Sequence, residues 1–595
     1  MKLLLDYSLP LAGAVLLLAF FWGLPDLRRC PLPKKLTDAR PGLHWDALIL
    51  LAIALPCALV SFRGLGDRSA PQSFVPLAGD TVTLTLPEGA APASAMLYSG
   101  VGIGGYELDF SADGEHWDTA CAFDQDHVAV LKWHALSWDA EASGRYVRLR
   151  WTYGEPWLGE LVFLDESGAV IAPEACSHSA LCDEQALVQT AATLENSSYF
   201  DEIYHARTAW EHLNGVWPYE ISHPPLGKEI MSLGIALFGM TPFGWRFMGT
   251  LFGLLMLPVM YAFLKELFGG RWVPALGTLV FASDFMRFTQ TRIATIDTYG
   301  VFFILLMYLF FYGWLRRGSR LSLALAGISF GLGAASKWTA IYAGAGLGVL
   351  WLLYWLDRFL NEDRGGQGGS SALPRVFLQN VAFCLIFFVA VPALIYYLSY
   401  LPYGRARLLA PFTREYTHMV LENQRFMFTY HAGIVAEHPY ASRWYQWLLD
   451  IRPILYYLEY LPEGRHRAIA AFLNPALCWG GLLSLFVLLY AAVWRRDRKA
   501  AFLLLGYLAQ LLPWVLIRRL TFAYHYFPCS VFLVLALGYV FALMREGRRR
   551  WLCWAIPFTA VSLGLFWLFY PVLSGAPMLS RYSTVFLKWL PTWPL

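Results

Sequence analysis

Apolar runs of about twenty residues recur along most of this chain, separated by short basic loops, and one long stretch alternates apolar and polar positions instead. A hydrocarbon core of ~30 Å needs roughly 20 apolar residues per helix. On that measure, spans are predicted near 7–24, 46–62, 246–264, 272–288, 298–315, 321–336, 339–356, 376–398, 472–494, 501–517, 526–544 and 551–570. The runs at 272–288 and 321–336 are the shortest fits. The run at 7–24 lacks a cleavage-site pattern and is followed by Arg28, Arg29, Lys34 and Lys35, which reads as a retained helix rather than a signal peptide. The expected fold is a polytopic α-helical membrane protein of about 12 transmembrane helices.

The alternating stretch covers about 66–180. TVTLTL at 81–86, YELDF at 106–110, RYVRLRW at 145–151 and ELVFLD at 160–165 each switch sides every residue, and Ser111–Glu115 and Asp165–Gly168 carry turn residues between such runs. This predicts an inserted antiparallel β-sandwich. Its SxDGxxW, RYVRLRW and ExxFxxxxG pattern resembles discoidin-like carbohydrate-binding modules. A structural cover over the following loop is weighed slightly ahead of sugar binding. The chain then divides into two N-terminal helices (1–65), the sandwich (66–180), an external loop with an acidic pair (181–245), transmembrane helices (246–398), a second external loop (399–471) and C-terminal helices with a short tail (472–595).

Composition supports a membrane chain: 57% of the 595 residues are hydrophobic and 15% charged, against roughly a quarter charged in soluble domains. The net charge of +3 gives no reason to expect nucleic acid. Placement of charge says more. Basic clusters at Arg28–Lys35, Arg316–Arg320, Arg495–Lys499 and Arg545–Arg550, with Arg358, Arg364 and Arg375, all fall on one side if the spans alternate. The positive-inside rule makes that side cytoplasmic and puts 63–245 and 399–471 outside. The nine cysteines form no CxxC pair, so no zinc site is expected. Cys176 and Cys182 could equally be bridged or free.

Candidate chemistry gathers on the outer side. Asp201 and Glu202 open the segment YFDEIYHARTAWEHLNGVWPYEISHPPLGK, which His223–Pro224–Pro225 must end as a helix. Acids beside an apolar, aromatic segment are costly unless paired or functional; a dipole-favoured helix start is the structural alternative, at even odds on position alone. Cations stand at several separate outer edges: Lys228, Arg292 with Asp297, Lys337 beside Trp338, and Arg518 with Arg519 ahead of Tyr524 and His525. The long loop adds Arg414, Arg425, His431, His438, Tyr440, Trp444 and Arg452. Several cations opposite the positive-inside bias point to a shared anionic ligand at the surface, and a polyprenyl phosphate fits. Arg suits bidentate phosphate contact. No HExxH or close ligand spacing supports a metal, and a divalent ion stays without support.

The motifs FDE (200–202), HPPLGK (223–228), PFGWRF (242–247), TRIATID (291–297), SKW (336–338), HPYASRWYQW (438–447), RP (452–453), LNPA (473–476) and YHYFP (524–528) occur in order. Together they resemble the protein O-mannosyltransferase family of type C membrane glycosyltransferases, in a bacterial form, over roughly 195–570. The resemblance implies a cell-membrane enzyme with an extracytoplasmic active site, a polyprenyl-phosphate sugar as donor, no certain cofactor, and inversion at the anomeric carbon. It carries the family's acidic pair onto Asp201–Glu202, its Arg and Asp five apart onto Arg292 and Asp297, and its HPPL-type loop onto His223–Lys228. Two features depart from the family: two helices rather than one precede the acidic pair, and the β-domain has no usual counterpart there.

Inverting transfer needs one base for the acceptor hydroxyl. Asp201 is assigned that role and Glu202 a supporting one, since adjacent acids on a helix point ~100° apart. Arg292, Arg518 and Arg519 are expected at the donor phosphate, with Lys228 and Lys337 weaker; His223, Asp297, His438, Tyr440, Trp444, Tyr524 and His525 are expected in support. The expected reaction moves a hexose, mannose above all, to a Ser/Thr hydroxyl of a secreted or membrane protein. A same-class transferase acting on a lipid or cell-wall glycan is the first alternative, and a transporter or flippase the second.

Overall fold

A computed structural model describes residues 43–139, 144–362, 373–433, 437–547 and 550–595. The predicted span at 7–24 lies outside the described residues, as does most of the Gly/Ser-rich stretch 361–371 between the predicted spans 339–356 and 376–398. Among the described residues, nine helices are long and apolar enough to cross a membrane, and two shorter apolar helices accompany them. The protein is a multi-pass membrane protein.

The two marginal spans have a physical explanation. The stretch predicted at 272–288 is two helices, Trp272–Ala282 and Phe285–Arg292. Asp284 takes an extended backbone between them, and its side chain accepts from the Arg287 N–H to start the second helix. The span predicted at 321–336 is the 17-residue helix Arg320–Ser336, which packs along Asp297–Arg317.

The described chain divides into two compact units. One comprises Gly64–Glu220 and Lys228–Met248. Within it lies the sandwich, of β1 (Val75–Pro76), β2 (Thr81–Thr85), β3 (Ser94–Ser99), β4 (Gly104–Ser111), β5 (Asp118–Gln125), β6 (Lys132–Ser137), β7 (Tyr146–Gly154), β8 (Trp157–Leu164), β9 (Val170–Ile171) and β10 (Ala175–Cys176). One sheet runs β1-β8-β3-β6 with β9 on β8; the other runs β10-β2-β7-β4-β5. The alternation at 81–86 does what period 2 requires: Val82, Leu84 and Leu86 are buried while Thr81 and Thr83 face out. Val82 lies opposite Leu149 and Leu84 opposite Val147, so the register puts both strands' apolar residues into one core with Leu97, Leu108, Phe110, Leu161 and Phe163. Cys176 and Cys182 bring their sulfurs within 3.0 Å.

The same unit holds α1 (Glu202–Asn214) and, from Lys228 on, α2 (Leu226–Phe238). The sandwich packs against α1: the rings of Phe74 and Trp157 meet Trp210 at centroid distances of 5.2 and 5.6 Å. Helix α1 ends where Gly215 turns left-handed at φ 66°, a conformation that costs glycine little.

The other unit comprises the residues up to Arg63, Ile221–Gly227 and Gly249–Leu595. Its centre is the helix Phe527–Gly547; the apolar stretch of Ala523–Gly547 is 94% buried, against 6% for Leu373–Ala406 at the periphery. Pro475–Trp494 and Arg498–Leu511 pack on that central helix, and Gly506 makes the approach close, since a Cβ there would overlap the Phe532 ring. The stretch expected as a long loop, 399–471, is structured: a helix at Arg414–Gly433, then a hairpin of β11 (Ile454–Leu461) and β12 (Arg465–Ala471). The C-terminal tail is packed too. Met578–Leu579 pairs with β12, and Trp593 is buried against Phe472 and Phe569.

Candidate functional site

In the first unit the two adjacent acids have different surroundings. Asp201 is the N-cap of α1, half-buried, and its carbonyl accepts from the N–H groups of Tyr204 and His205, both at 3.1 Å. Glu202 is wholly buried. Arg246 grips it, Nε donating to Oε1 at 2.7 Å and Nη2 to Oε2 at 2.8 Å, and the Tyr199 N–H donates to Oε2. The remaining guanidinium hydrogens reach the carbonyls of Leu65, Leu194 and Ser197. All five donors of Arg246 are thus used, which is how an arginine at full burial is made tolerable. The residue before the pair, Phe200, is left-handed at φ 49° without being glycine, a conformation that persists only when its surroundings impose it.

Helix α1 is pinned further along. Arg207 and Glu211 form a buried pair, Arg207 lies 3.9 Å from the Tyr219 ring centroid, and Glu211 accepts from the Tyr219 N–H. Lys228, expected at the donor phosphate, meets an acid within the protein. It is fully buried, and its ammonium donates to the carboxylate and carbonyl of Glu220.

In the second unit a group around the Lys337 cation assembles from five separate segments. Lys337, just past the helix Arg320–Ser336, ion-pairs with Asp297 at the start of Asp297–Arg317 and lies 5.6 Å from the Tyr524 ring centroid. His431 donates from Nε2 to the Ser222 carbonyl at 2.8 Å and meets the His223 ring at 5.0 Å. Burial, with the nearby His223, Arg519 and Lys337, holds the His431 imidazole down to about 4, so it is neutral at ordinary pH. Asn423, from the same helix as His431, donates to the Ile221 carbonyl and fixes the loop that carries His223. His525 is buried, its ring stacked on Tyr524 at 4.6 Å and against Trp514 at 4.5 Å.

A cavity of about 630 Å³ opens beside this group, lined by His438, Arg443, Arg518, Arg519 and Thr521 among others. That is the size of a small-molecule site. Ser442 and Thr521 tie its walls together through reciprocal bonds of 2.8 and 2.6 Å. Three arginines around one cavity suit an anion.

The remaining expected residues scatter. Arg292 is buried, donating to the Arg63 carbonyl at 2.8 Å with its guanidinium 5.0 Å from the Phe288 ring. Tyr440 packs on the apolar cluster around Phe285 and Phe288, and Trp444 starts a short helix against Tyr445; neither lines the cavity. Glu160, Asp183 and Glu184 of the sandwich form the one group of three cation-competent side chains among the described residues. Protein donors already serve two of them: Gln185 and the Glu184 N–H on Glu160, and the Gln72 N–H on Glu184.

Arg246, Glu220 and Arg443 were not singled out as site residues from the sequence. A lone arginine inside the apolar run PFGWRFMGTLF was the available signal for Arg246, because an intramembrane charge needs a partner.

Two sequence profiles match the chain: dolichyl-phosphate-mannose-protein mannosyltransferase over residues 238–402, and the C-terminal four-transmembrane region of protein O-mannosyltransferase over 416–593. The polyprenol-phosphate-mannose–protein mannosyltransferase of Mycolicibacterium smegmatis is 26% identical over 455 residues, covering 66% of this chain and 87% of that protein. The enzyme of the same description from Corynebacterium glutamicum is 25% identical over 479 residues, covering 68% and 90%. In fold, the chain matches the Saccharomyces cerevisiae protein O-mannosyltransferase Pmt1–Pmt2 complex bound to the sugar donor, with a TM-score of 0.58 at 14% identity over 67% of this chain and 89% of that one. The transmembrane architecture, the ordered motifs and both profiles agree: the chain belongs to the protein O-mannosyltransferase family.

Proposed function

We propose that the protein transfers mannose from a polyprenyl-phosphate mannose to a Ser or Thr hydroxyl of a polypeptide, on the extracytoplasmic side of the membrane. The observation that supports this reading is the difference in surroundings within the acidic pair. Glu202 is committed to Arg246, whereas Asp201 stays half-buried at the mouth of α1. Asp201 then takes the acceptor proton as the hydroxyl oxygen attacks the anomeric carbon. The bond from that carbon to the lipid phosphate breaks, and its electron pair leaves with the phosphate. A departing phosphate needs positive charge more than it needs an acid. Arg519, Arg518 and Lys337 supply it in this reading, with Arg443 joining from the cavity wall. Glu202 is a positioning residue.

The test is incorporation of labelled mannose from polyprenyl-phosphate mannose into protein, in membranes carrying the wild type or Asp201→Asn. Label in protein with the wild type and none with the variant is the expected result. Label confined to lipid or glycan would overturn the acceptor assignment, and full activity in the variant would overturn the base.

A further inference from the structure

The proposed reaction leaves unexplained why a β-sandwich stands immediately ahead of the acidic pair. Its loop between β5 and β6 is bonded to the segment that delivers Asp201. Ser198 donates from its hydroxyl to the Val130 carbonyl at 2.8 Å and from its N–H to the Leu131 carbonyl at 3.3 Å. Three residues of chain span at most about 10 Å, so this junction lies within that distance of Asp201.

Strain collects at the same place. Leu131 (φ 58°) and Phe200 (φ 49°) are the only non-glycine residues with positive φ among the described residues of this unit, and the Ser198 bonds join their two segments. Such conformations concentrate where a fixed geometry is needed. The loop is held rigid from within as well: the Asp126 carboxylate accepts from the N–H groups of Val128 and Ala129, and the His134 ring bonds the Ala129 carbonyl. Lys132, the next residue along, is near enough to Glu202 for their charges to interact.

The loop also reaches α1 by side chain. The exposed His127 ring lies parallel to Tyr204 within 15°, centroids 6.2 Å apart, and Tyr204 lies parallel to Tyr219 within 6° at 6.3 Å. Tyr204 is three residues past Asp201, on the same helix face. A row of three rings therefore runs from the sandwich loop onto α1, one turn past Asp201.

We propose that the loop Asp126–Leu131 is a wall of the acceptor site and that His127 contacts the incoming polypeptide beside Asp201. The occupant is the acceptor rather than the donor because the loop exposes Asp126, His127 and a single large apolar side chain, Val128. That surface suits a hydrated polypeptide and offers a polyprenyl chain almost nothing to bury. A rigid, pre-organised wall also limits the ordering cost of binding a flexible segment. This inference rests on the proposed transfer to protein.

The experiment uses the full-length enzyme in detergent or membranes, labelled polyprenyl-phosphate mannose, and a synthetic peptide rich in Ser and Thr. His127→Ala is expected to raise the KM for peptide about fivefold, the size of one lost contact, while leaving the donor KM and the melting temperature at wild-type values. His127→Phe keeps a ring against Tyr204 and is expected to recover part of that loss. An unchanged peptide KM in folded His127→Ala, or an equal rise in donor KM, would overturn the proposal. Failure of the wild type to label any peptide would instead sink the underlying transfer reading.

Discussion

Arg246 holds Glu202 across 44 residues of chain, with two parallel hydrogen bonds of 2.7 and 2.8 Å inside a fully buried pocket. The same guanidinium binds the carbonyls of Leu65, Leu194 and Ser197, so one side chain fixes both the second acid and the backbone leading to the first. Breaking a buried ion pair by removing one partner typically costs ~3–5 kcal/mol, because the other charge is left uncompensated. Arg246→Ala and Glu202→Gln should therefore both lower the melting temperature in detergent and abolish transfer. An active, fully stable Glu202→Gln enzyme would show that the clamp does not position the site.

Asp201→Asn should behave differently. Asparagine has nearly the same shape and polarity as aspartate and is equally acceptable at a helix N-terminus. The melting temperature should stay close to wild type while transfer falls by about 10²–10⁴, the range ascribed to a positioned general base. Donor lipid binding, measured by retention of labelled lipid on the immobilised protein, should persist. Loss of stability equal to that of Arg246→Ala would remove the distinction drawn between the two acids.

These contrasts also mark what the sequence could convey. Periodicity located the long apolar helices and the strands at 81–85 and 146–154, because burial on one side of a strand writes itself as alternation. It put one span across 272–288 because Asp284, polar within an apolar run, acts as a local N-cap that no hydropathy window registers. The pair Asp201–Glu202 stood out, yet the burial of Glu202 depends on Arg246, and a partner 44 residues away leaves no local pattern. Lys228 looked like one more cation on the outer face, since nothing in HPPLGK reveals that Glu220 will fold back onto it.

His431 gives a pH dependence with a definite sign. Its folded value of about 4 lies below the ordinary imidazole value of 6.5, chiefly through burial and then through His223, Arg519 and Lys337. Between those values the unfolded chain binds the proton and the native protein does not, so stability rises with pH across the window. The contribution is complete above pH 6.5 and is lost as pH falls to about 4. For a half-buried ring screened by solvent, it is on the order of 1–2 kcal/mol. His431→Gln keeps a donor for the Ser222 carbonyl but cannot titrate. Its melting temperature should fall less than that of the wild type between pH 7 and 4.5, and parallel curves would refute the assignment.

The cavity arginines make a prediction about the donor. Arg519 is half-buried where the cavity meets the cationic group, whereas Arg518 is exposed and its carbonyl accepts from Arg443 at 2.9 Å. Arg519→Ala should raise the KM for the donor lipid about tenfold or more, the scale of one charge-assisted contact. Arg519→Lys should restore only part, since an ammonium lacks the planar fork that matches phosphate. Equal donor KM values for the wild type and Arg519→Ala would place the phosphate elsewhere.

The Asp297–Lys337 pair tests whether a charge serves stability or ligand binding. Asp297 opens one helix and Lys337 follows the end of the next, so the pair bridges an elbow in the membrane-spanning body. Asp297→Asn should destabilise the protein by ~3 kcal/mol or more by stranding the lysine. Lys337→Met should strand the aspartate and cost a similar amount. The double variant removes both charges and should recover most of the stability, because a neutral pair of comparable volume carries no unpaired charge. If Lys337 also faces the leaving phosphate, the double variant will melt near the wild-type temperature and still transfer poorly. Recovery of activity together with stability would confine Lys337 to a structural role.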